Sequence, residues 1–274
     1  MFDSIAGDYD ALNHILSLDV DKLWRKKALK QIVDAPAPAR VLDLACGTGD
    51  FSIAIAKALS RSHKRVGTPI EAHVKAPAKA PVEAPAKAPV EAQVTSTGFV
   101  TGDSGRSDLM TKGHVTGVDL SEGMLAVMRE KVAKAGLTEM ISIEEGDGEI
   151  LRFPDNTFDR VTIAFGIRNF ENREKGLREM LRVLKPGGRL VILELSRPEN
   201  KVIRWFYDLY FLHILPKIGG KVSGDKAAYA YLPASVAAFP GKKAFMATMR
   251  EAGFRTVTHK AFTLGICRMY TGEK

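Results

Sequence analysis

The chain has 274 residues, 45% of them hydrophobic and 26% charged, with only two cysteines; this suits a globular protein with length for one large domain or two small ones. No uninterrupted apolar run reaches the ~18 residues that span a bilayer, Met1 leads into Phe-Asp-Ser-Ile rather than a basic and then apolar leader, and Cys46, Cys267 and six histidines lack ligand spacing, so the expectation is a cytoplasmic protein without a metal. The net charge of +8 does not imply nucleic acid, because a binding face needs a basic patch or stripe, and three of the surplus charges lie within residues 60–112.

In chain order, residues 40–44 (RVLDL) form a short apolar run with an inward acid, Asp43, and meet the turn Ala45-Cys-Gly-Thr-Gly-Asp50. Residues 51–59 then read as a helix with Phe51, Ile55 and Leu59 on one face. Residues 60–112 differ in kind: Ala76-Pro-Ala-Lys-Ala-Pro-Val-Glu83 repeats unchanged as residues 84–91. Proline at every fourth position removes amide donors and disfavours helical geometry in the preceding residue, so a disordered or polyproline II surface insertion is expected between residues 1–59 and 113–274 of one domain. A docking spacer for a partner is the alternative.

Residues 114–118 (HVTGV) are the second strand, ending at Asp119. Ser121 is placed to cap a helix with Met124, Leu125, Met128 and Val132 on one face, and Gly136 to end it. Residues 141–145 form the third strand, followed by Gly146-Asp147-Gly148, and residues 158–165 (FDRVTIAF) the fourth. Asn172 is a cap for a helix through Leu184, stopped by Pro186-Gly187-Gly188. The fifth strand covers residues 189–195. A helix over 242–252 and strands over 254–259 and 265–270 complete the pattern. Such alternation predicts an α/β fold, a doubly wound, mostly parallel seven-stranded sheet, with ligands at the carboxyl ends of the strands.

Gly47-Thr48-Gly49 follows a strand and opens a helix, the setting a nucleotide-type glycine loop requires. The third glycine of the dinucleotide fingerprint is replaced by Ser52, and no Walker lysine is present. What remains is a loop that lets a ligand approach closely, plus Asp119, placed to accept two hydrogen bonds from ribose hydroxyls. A ligand with ribose and adenine but no phosphate fits, and S-adenosylmethionine is that ligand. Asp43 is a candidate for its amino group, directly or through a water, and Asp147, followed by Gly148, for the adenine amine; loop capping is the alternative for both acids, and a plain turn role for Thr48. Cys46 reads as a packing residue. A nicotinamide oxidoreductase, an RNA methyltransferase and a non-catalytic adaptor that binds S-adenosylmethionine are the competing readings.

Several segments together resemble the UbiE/MenG-type C-methyltransferases of menaquinone and ubiquinone biosynthesis. They are the N-terminal run from Met1 to Ser17 with Trp24, VLDLACGTGD at 41–50, FPDNTFDRVTIAFGIRN at 153–169 and RVLKPGGRLVILELSRP at 182–198. YAYLP at 229–233 and GICRMYTG at 265–272 suit the menaquinone branch. The resemblance covers nearly everything except residues 60–112, and it implies a Rossmann-like class I methyltransferase that converts demethylmenaquinol, a polyprenyl naphthoquinol, to menaquinol; a ubiquinone-pathway methyltransferase is the alternative. Some members carry a cofactor-contacting serine where this chain has Ala164.

On that reading Arg168 and Asn169, just after the fourth strand, are candidates to hold the ring hydroxyl or an intervening water; arginine serves for electrostatic activation, being a poor proton acceptor. The alternative for Arg168 is a salt bridge to Glu171 or Glu194. Tyr9 is a candidate cover over the cofactor, or a packing residue of an N-terminal helix. Residues 202–215 (VIRWFYDLYFLHIL) suit an apolar wall for a polyprenyl tail, a shallow peripheral contact with a membrane, or a buried core helix.

Overall fold

The computed structural model describes residues 20–36, 38–66, 113–210 and 226–274. The RVLDL run forms β1 (Arg40–Leu44), flanked by β2 (His114–Asp119) and β4 (Phe158–Ala164), with β3 (Ile141–Glu145) outside β2 and β5 (Leu184–Leu195) outside β4. These five strands are parallel. β7 (Cys267–Glu273) lies antiparallel between β5 and β6 (Arg255–Phe262), giving the order β3-β2-β1-β4-β5-β7-β6. The chain therefore runs outward from β1 to β3, returns, and continues from β4 in the other direction. That reversal opens a crevice at the carboxyl ends of β1 and β4, where ligands of such sheets bind.

Period-two alternation sends successive side chains to opposite faces, and both faces are covered. Val41, Val115, Val191 and Leu193 point to one face, under α1 (Val20–Ile32), α2 (Asp50–Val66) and α3 (Glu122–Lys134). Leu42, Val161, Leu190 and Ile192 point to the other, against α4 (Arg173–Val183) and α7 (Lys242–Glu251). On α2, Phe51, Ile55 and Leu59 are buried at the expected helical spacing; each contributes roughly 1.5–3 kcal/mol by leaving water. Ser121 Oγ accepts from the Met124 N–H at 3.2 Å and caps α3, while Asn172 Oδ1 accepts from the Lys175 N–H at 2.9 Å and caps α4.

Three boundaries differ from expectation. The second helix continues to Val66 rather than ending at Leu59, since residues 60–66 contain neither of the strong helix breakers, glycine and proline; residues 67–112, the rest of the expected insertion, lie outside the described residues. β5 begins at Leu184 rather than 189: Leu184 is buried and pairs with Phe158, and the ladder resumes at Arg160 and Arg189, so Lys185 to Gly188 bulge out between the two pairs. The last two strands start one and two residues later than expected and each ends three later, at Arg255–Phe262 and Cys267–Glu273, with the turn Thr263–Gly265 taking up the first residue of the expected final strand. Two further helices, α5 (Lys201–Leu209) and α6 (Lys226–Ala238), sit in chain order between β5 and α7.

Candidate active site

A cavity of about 300 Å³ opens at the carboxyl ends of β1 to β4, lined among others by Gly47, Asp119, Asp147, Ala164, Phe165 and Asn169. On the β1–β2 side the backbone builds it. Asp119 Oδ2 accepts the Gly47 N–H at 2.8 Å and Oδ1 accepts the Ser121 N–H at 2.9 Å, so one carboxylate ties the glycine turn to the start of α3. A carboxylate has about four acceptor sites, so it can bond to more than one group at once. Asp147 Oδ1 accepts the Glu149 N–H at 2.8 Å; it caps its turn and lines the cavity at once. Gly148 also lies on the wall, and Ala164 offers no hydroxyl there.

Asp43 and Thr48 line a small recess that shares Ala45, Gly47, Ala164 and Phe165 with the main cavity. Ser52 Oγ donates to Asp43 Oδ2 at 2.6 Å, and Thr48 Oγ1 accepts from Lys131 Nζ at 3.1 Å. Burial, opposed by the Ser52 hydrogen bond and the charge of Arg25, raises the Asp43 pKa to about 7. A desolvated acid of this kind gains most from a cation brought beside it. Gly49 is not on the wall: its φ is +83° and a Cβ there would stand 2.4 Å from Met128 Cγ, so it serves the seating of the turn on α3. Cys46 packs with Met128, its Sγ 3.5 Å from the thioether sulfur, and burial first, then the charges of Asp43 and Asp119, push its thiol well up. That keeps it protonated and unsuited to nucleophilic work.

The β4 side is built from side chains distant in sequence. After β4 the chain makes a 3₁₀ turn, Ile167–Asn169. Asn169 lines the cavity, whereas Arg168 does not. The Arg168 side chain is buried, with Nη1 donating to Glu194 Oε1 at 2.8 Å and to the Phe165 carbonyl, and its backbone N–H donating to Glu194 Oε2 at 3.1 Å. The alternative of an ion pair with Glu194 is thus what forms; Glu171 lines the cavity instead. From α6, Tyr231 OH donates to Asn169 Oδ1 at 2.9 Å and Ser235 Oγ accepts from Arg168 Nε at 3.3 Å. Tyr9 lies outside the described residues.

Several wall residues escape sequence reasoning. Phe165 and Ala45 hold positive φ values of 64° and 48° at the ends of the two central strands, a conformation that costs on the order of 1–3 kcal/mol for a non-glycine residue. A Cβ on Gly166 would lie 2.4 Å from the Ala45 Cβ, so only glycine lets these two strand exits meet. Phe170 packs against Gly148 and Gly176 and lines the cavity. Arg25 of α1 lies in the Asp43 recess with its guanidinium carbon 5.6 Å from the Phe165 ring centroid. Its position next to Trp24 was the one available signal, but no periodicity links residue 25 to a turn that starts twenty residues later.

The strand order and the glycine turn bound by a strand-end acid define a Rossmann-like methyltransferase frame. Among solved structures with this fold, a SAM dependent methyltransferase from Aquifex aeolicus matches with a TM-score of 0.52 at 18% identity, over 90% of this chain and 88% of the other. The [4+2]-cyclase SpnF matches with 0.55 at 15% identity, over 91% and 80%; a shared sheet does not dictate the reaction. Sequence relatives are nearer. The Ubiquinone/menaquinone biosynthesis C-methyltransferase UbiE of Geobacter sulfurreducens is 42% identical over all of this chain and 87% of its own length. The Demethylmenaquinone methyltransferase of Bacteroides fragilis is 38% identical over all of this chain and 91% of its own. The model of the ubiE/COQ5 methyltransferase family matches residues 1–274. The chain belongs to that family, and it is an enzyme.

Proposed function

We propose that this chain methylates a ring carbon of demethylmenaquinol to give menaquinol, the last step of menaquinone formation. The methyl donor is S-adenosylmethionine, and the site residues fit it: a strand-end carboxylate on the cavity wall at Asp119 and a desolvated acid at Asp43 suited to a cationic ligand. Bound there, the donor supplies an electrophilic methyl group on a positively charged sulfur. Asp119 accepts from its ribose hydroxyls, Asp147 from its adenine amine, and Gly47, Thr48 and Gly148 give it close backbone approach. Asp43, with Arg25 beside it, handles the amino-acid end.

The acceptor ring reacts through a carbon made nucleophilic by loss of a neighbouring hydroxyl proton to solvent; that carbon takes the methyl as its bond to sulfur breaks, leaving S-adenosylhomocysteine, and the hydrogen the carbon carried ends on the ring oxygen as the ring regains aromaticity. Moving a phenol from a pKa of ~10 to ~7 takes roughly 4 kcal/mol, and a hydrogen bond to a charged oxygen contributes roughly 1.5–3 kcal/mol. We assign that bond to Asn169. Arg168 acts one layer behind it: paired with Glu194, it holds the turn from which Asn169 projects, so its role is positioning rather than contact. Phe165 and Phe170 exclude water from the joining of opposite charges, which solvation would keep apart. Tyr9 remains the candidate cover, on the strength of the N-terminal signature.

The observation that carries this reading is that one cavity has Asp119 and Asn169 on its wall. Incubation with isotopically labelled donor and chemically reduced demethylmenaquinol, read by mass spectrometry, should give labelled menaquinol. Donor binding without transfer would overturn it.

Among the described residues no helix is long and apolar enough to cross a membrane. We assign peripheral contact with a lipid surface to α5. Val202, Trp205, Phe206 and Leu209 recur at helical spacing, and Trp205 and Phe206 are 61% and 60% exposed, which speaks against a buried helix over this part of the segment; residues 211–215 lie outside the described residues. The helix starts shortly after the carboxyl end of β5, on the edge of the sheet that carries the cavity, where a long-tailed substrate would enter.

A further inference from the structure

We infer that Tyr231 is a positioning residue that fixes which end of the Asn169 carboxamide meets the acceptor ring; this rests on the reading of Asn169 given above. An asparagine side chain presents an oxygen acceptor at one end and a pair of N–H donors at the other, related by a half-turn of the terminal bond. In a catalytic setting the two ends have opposite effects: donors stabilise a developing phenolate, and the carbonyl oxygen repels it. Nothing in the local sequence selects between them.

The selection comes from α6. Tyr231 OH donates to Asn169 Oδ1 at 2.9 Å across 62 positions of sequence, so the oxygen is committed to the helix and what Asn169 offers a ligand in the cavity is its Nδ2 donor pair. One helical turn further on, Ser235 engages Arg168 Nε at 3.3 Å. Two residues at i, i+4 on one face thus grip two consecutive residues of the 3₁₀ turn. Glu194 holds the same turn from beneath through Arg168, and the Asn169 N–H is bonded to the Gly166 carbonyl at 3.0 Å. With backbone and neighbour fixed, the carboxamide torsion is the remaining freedom, and the tyrosine hydroxyl removes it. Losing that hydroxyl frees the amide to turn, and the fraction with oxygen inward opposes ionisation of the acceptor.

The test is Tyr231→Phe, which deletes one oxygen. It should keep donor affinity and quinol KM, lower kcat roughly 10–100-fold, and move the acidic limb of the pH–kcat profile to higher pH, because the bound quinol is then harder to ionise. Acting through Asn169, it should add nothing to Asn169→Ala: the double variant should match that single one. An unchanged kcat and pH profile, additive losses, or a parallel fall in donor affinity would each overturn the role. No turnover of demethylmenaquinol by the unmodified enzyme would overturn the functional reading and this role with it, whereas normal turnover with a silent Tyr231→Phe overturns this role alone. A measurement on the unmodified enzyme covers a variant that fails to fold: the Asn169 side-chain amide resonances should shift when demethylmenaquinol is added to the donor-product complex, and no shift would contradict the assignment.

Discussion

The two sides of the cavity are made in different ways. On the β1–β2 side, backbone groups of consecutive elements do nearly everything: a strand, a glycine turn and the acid at the end of the next strand, with Asp119 tying them through two backbone N–H groups, that of Gly47 from 72 positions away. On the β4 side, Asn169 is set by partners from β5 and from α6, so its geometry depends on contacts across 26 to 67 positions. On the proposed reading, a donor shared by many enzymes is met by backbone groups held by one carboxylate, and an acceptor particular to this enzyme by side chains braced by other side chains. A change on the first side should act on donor affinity, and one on the second on turnover and stability.

The harshest way to break the second side is Glu194→Ala. It leaves the Arg168 guanidinium buried without its carboxylate, and removing one partner of a buried pair costs roughly 3–5 kcal/mol. Chemical denaturation should show that loss. A cost under about 1 kcal/mol, the range of exposed pairs, would mean the brace carries little.

Asp43 sharpens the first side through pH. Its pKa of about 7 in the folded enzyme lies above the ordinary aspartate value, so this group's contribution to stability is fully present at low pH and lost as pH rises through 7. A positively charged ligand favours the ionised acid, so donor affinity should climb with pH up to about 7 and then level off as far as this group is concerned. Asp43→Asn should be more stable than the unmodified enzyme at pH 8 and lose that climb. A flat affinity profile in the unmodified enzyme would contradict the assignment.

Smaller effects are expected away from both sides. Trp205→Glu with Phe206→Glu should raise KM for long-tailed quinols more than for short-tailed ones; equal changes for both would remove α5 from the lipid path. Deleting residues 67–112 should leave turnover intact, since that segment joins the end of α2 to the amino end of β2, opposite the cavity, and each doubling of a surface loop costs only about 0.6 kcal/mol. A folded deletion variant without activity would contradict the expectation of a tolerated insertion.

This division also explains what could be read from sequence. Helix caps at Ser121 and Asn172, the succession of strands along the chain and the strand-end acids follow from periodicity and local chemistry, and the structure has them where expected, whereas the spatial order of the strands comes from the structure alone. Arg168 was a candidate for contact with the substrate because it follows a strand on the ligand side. The alternative, an ion pair with Glu171 or Glu194, is what forms, with Glu194 of the adjacent strand; the choice between contact and pairing, and between the two acids, rests on strand register, which neither strand carries in its own sequence. Tyr231 was visible only as part of a motif. That its hydroxyl reaches Asn169 depends on how α6 crosses the 3₁₀ turn, which no local pattern reports. Phe165 offers no signal either, since a bulky residue at positive φ is imposed by its surroundings.

The claim at the centre, one cavity with separable donor and acceptor sides, is tested most directly by measuring donor affinity and turnover together in Asn169→Ala and Asp119→Ala. The account predicts unchanged donor affinity with turnover down on the order of 100-fold for the first, and donor affinity weakened about 100-fold for the second, from the loss of hydrogen bonds to a charged acceptor. Matching losses of affinity and turnover in Asn169→Ala would contradict it.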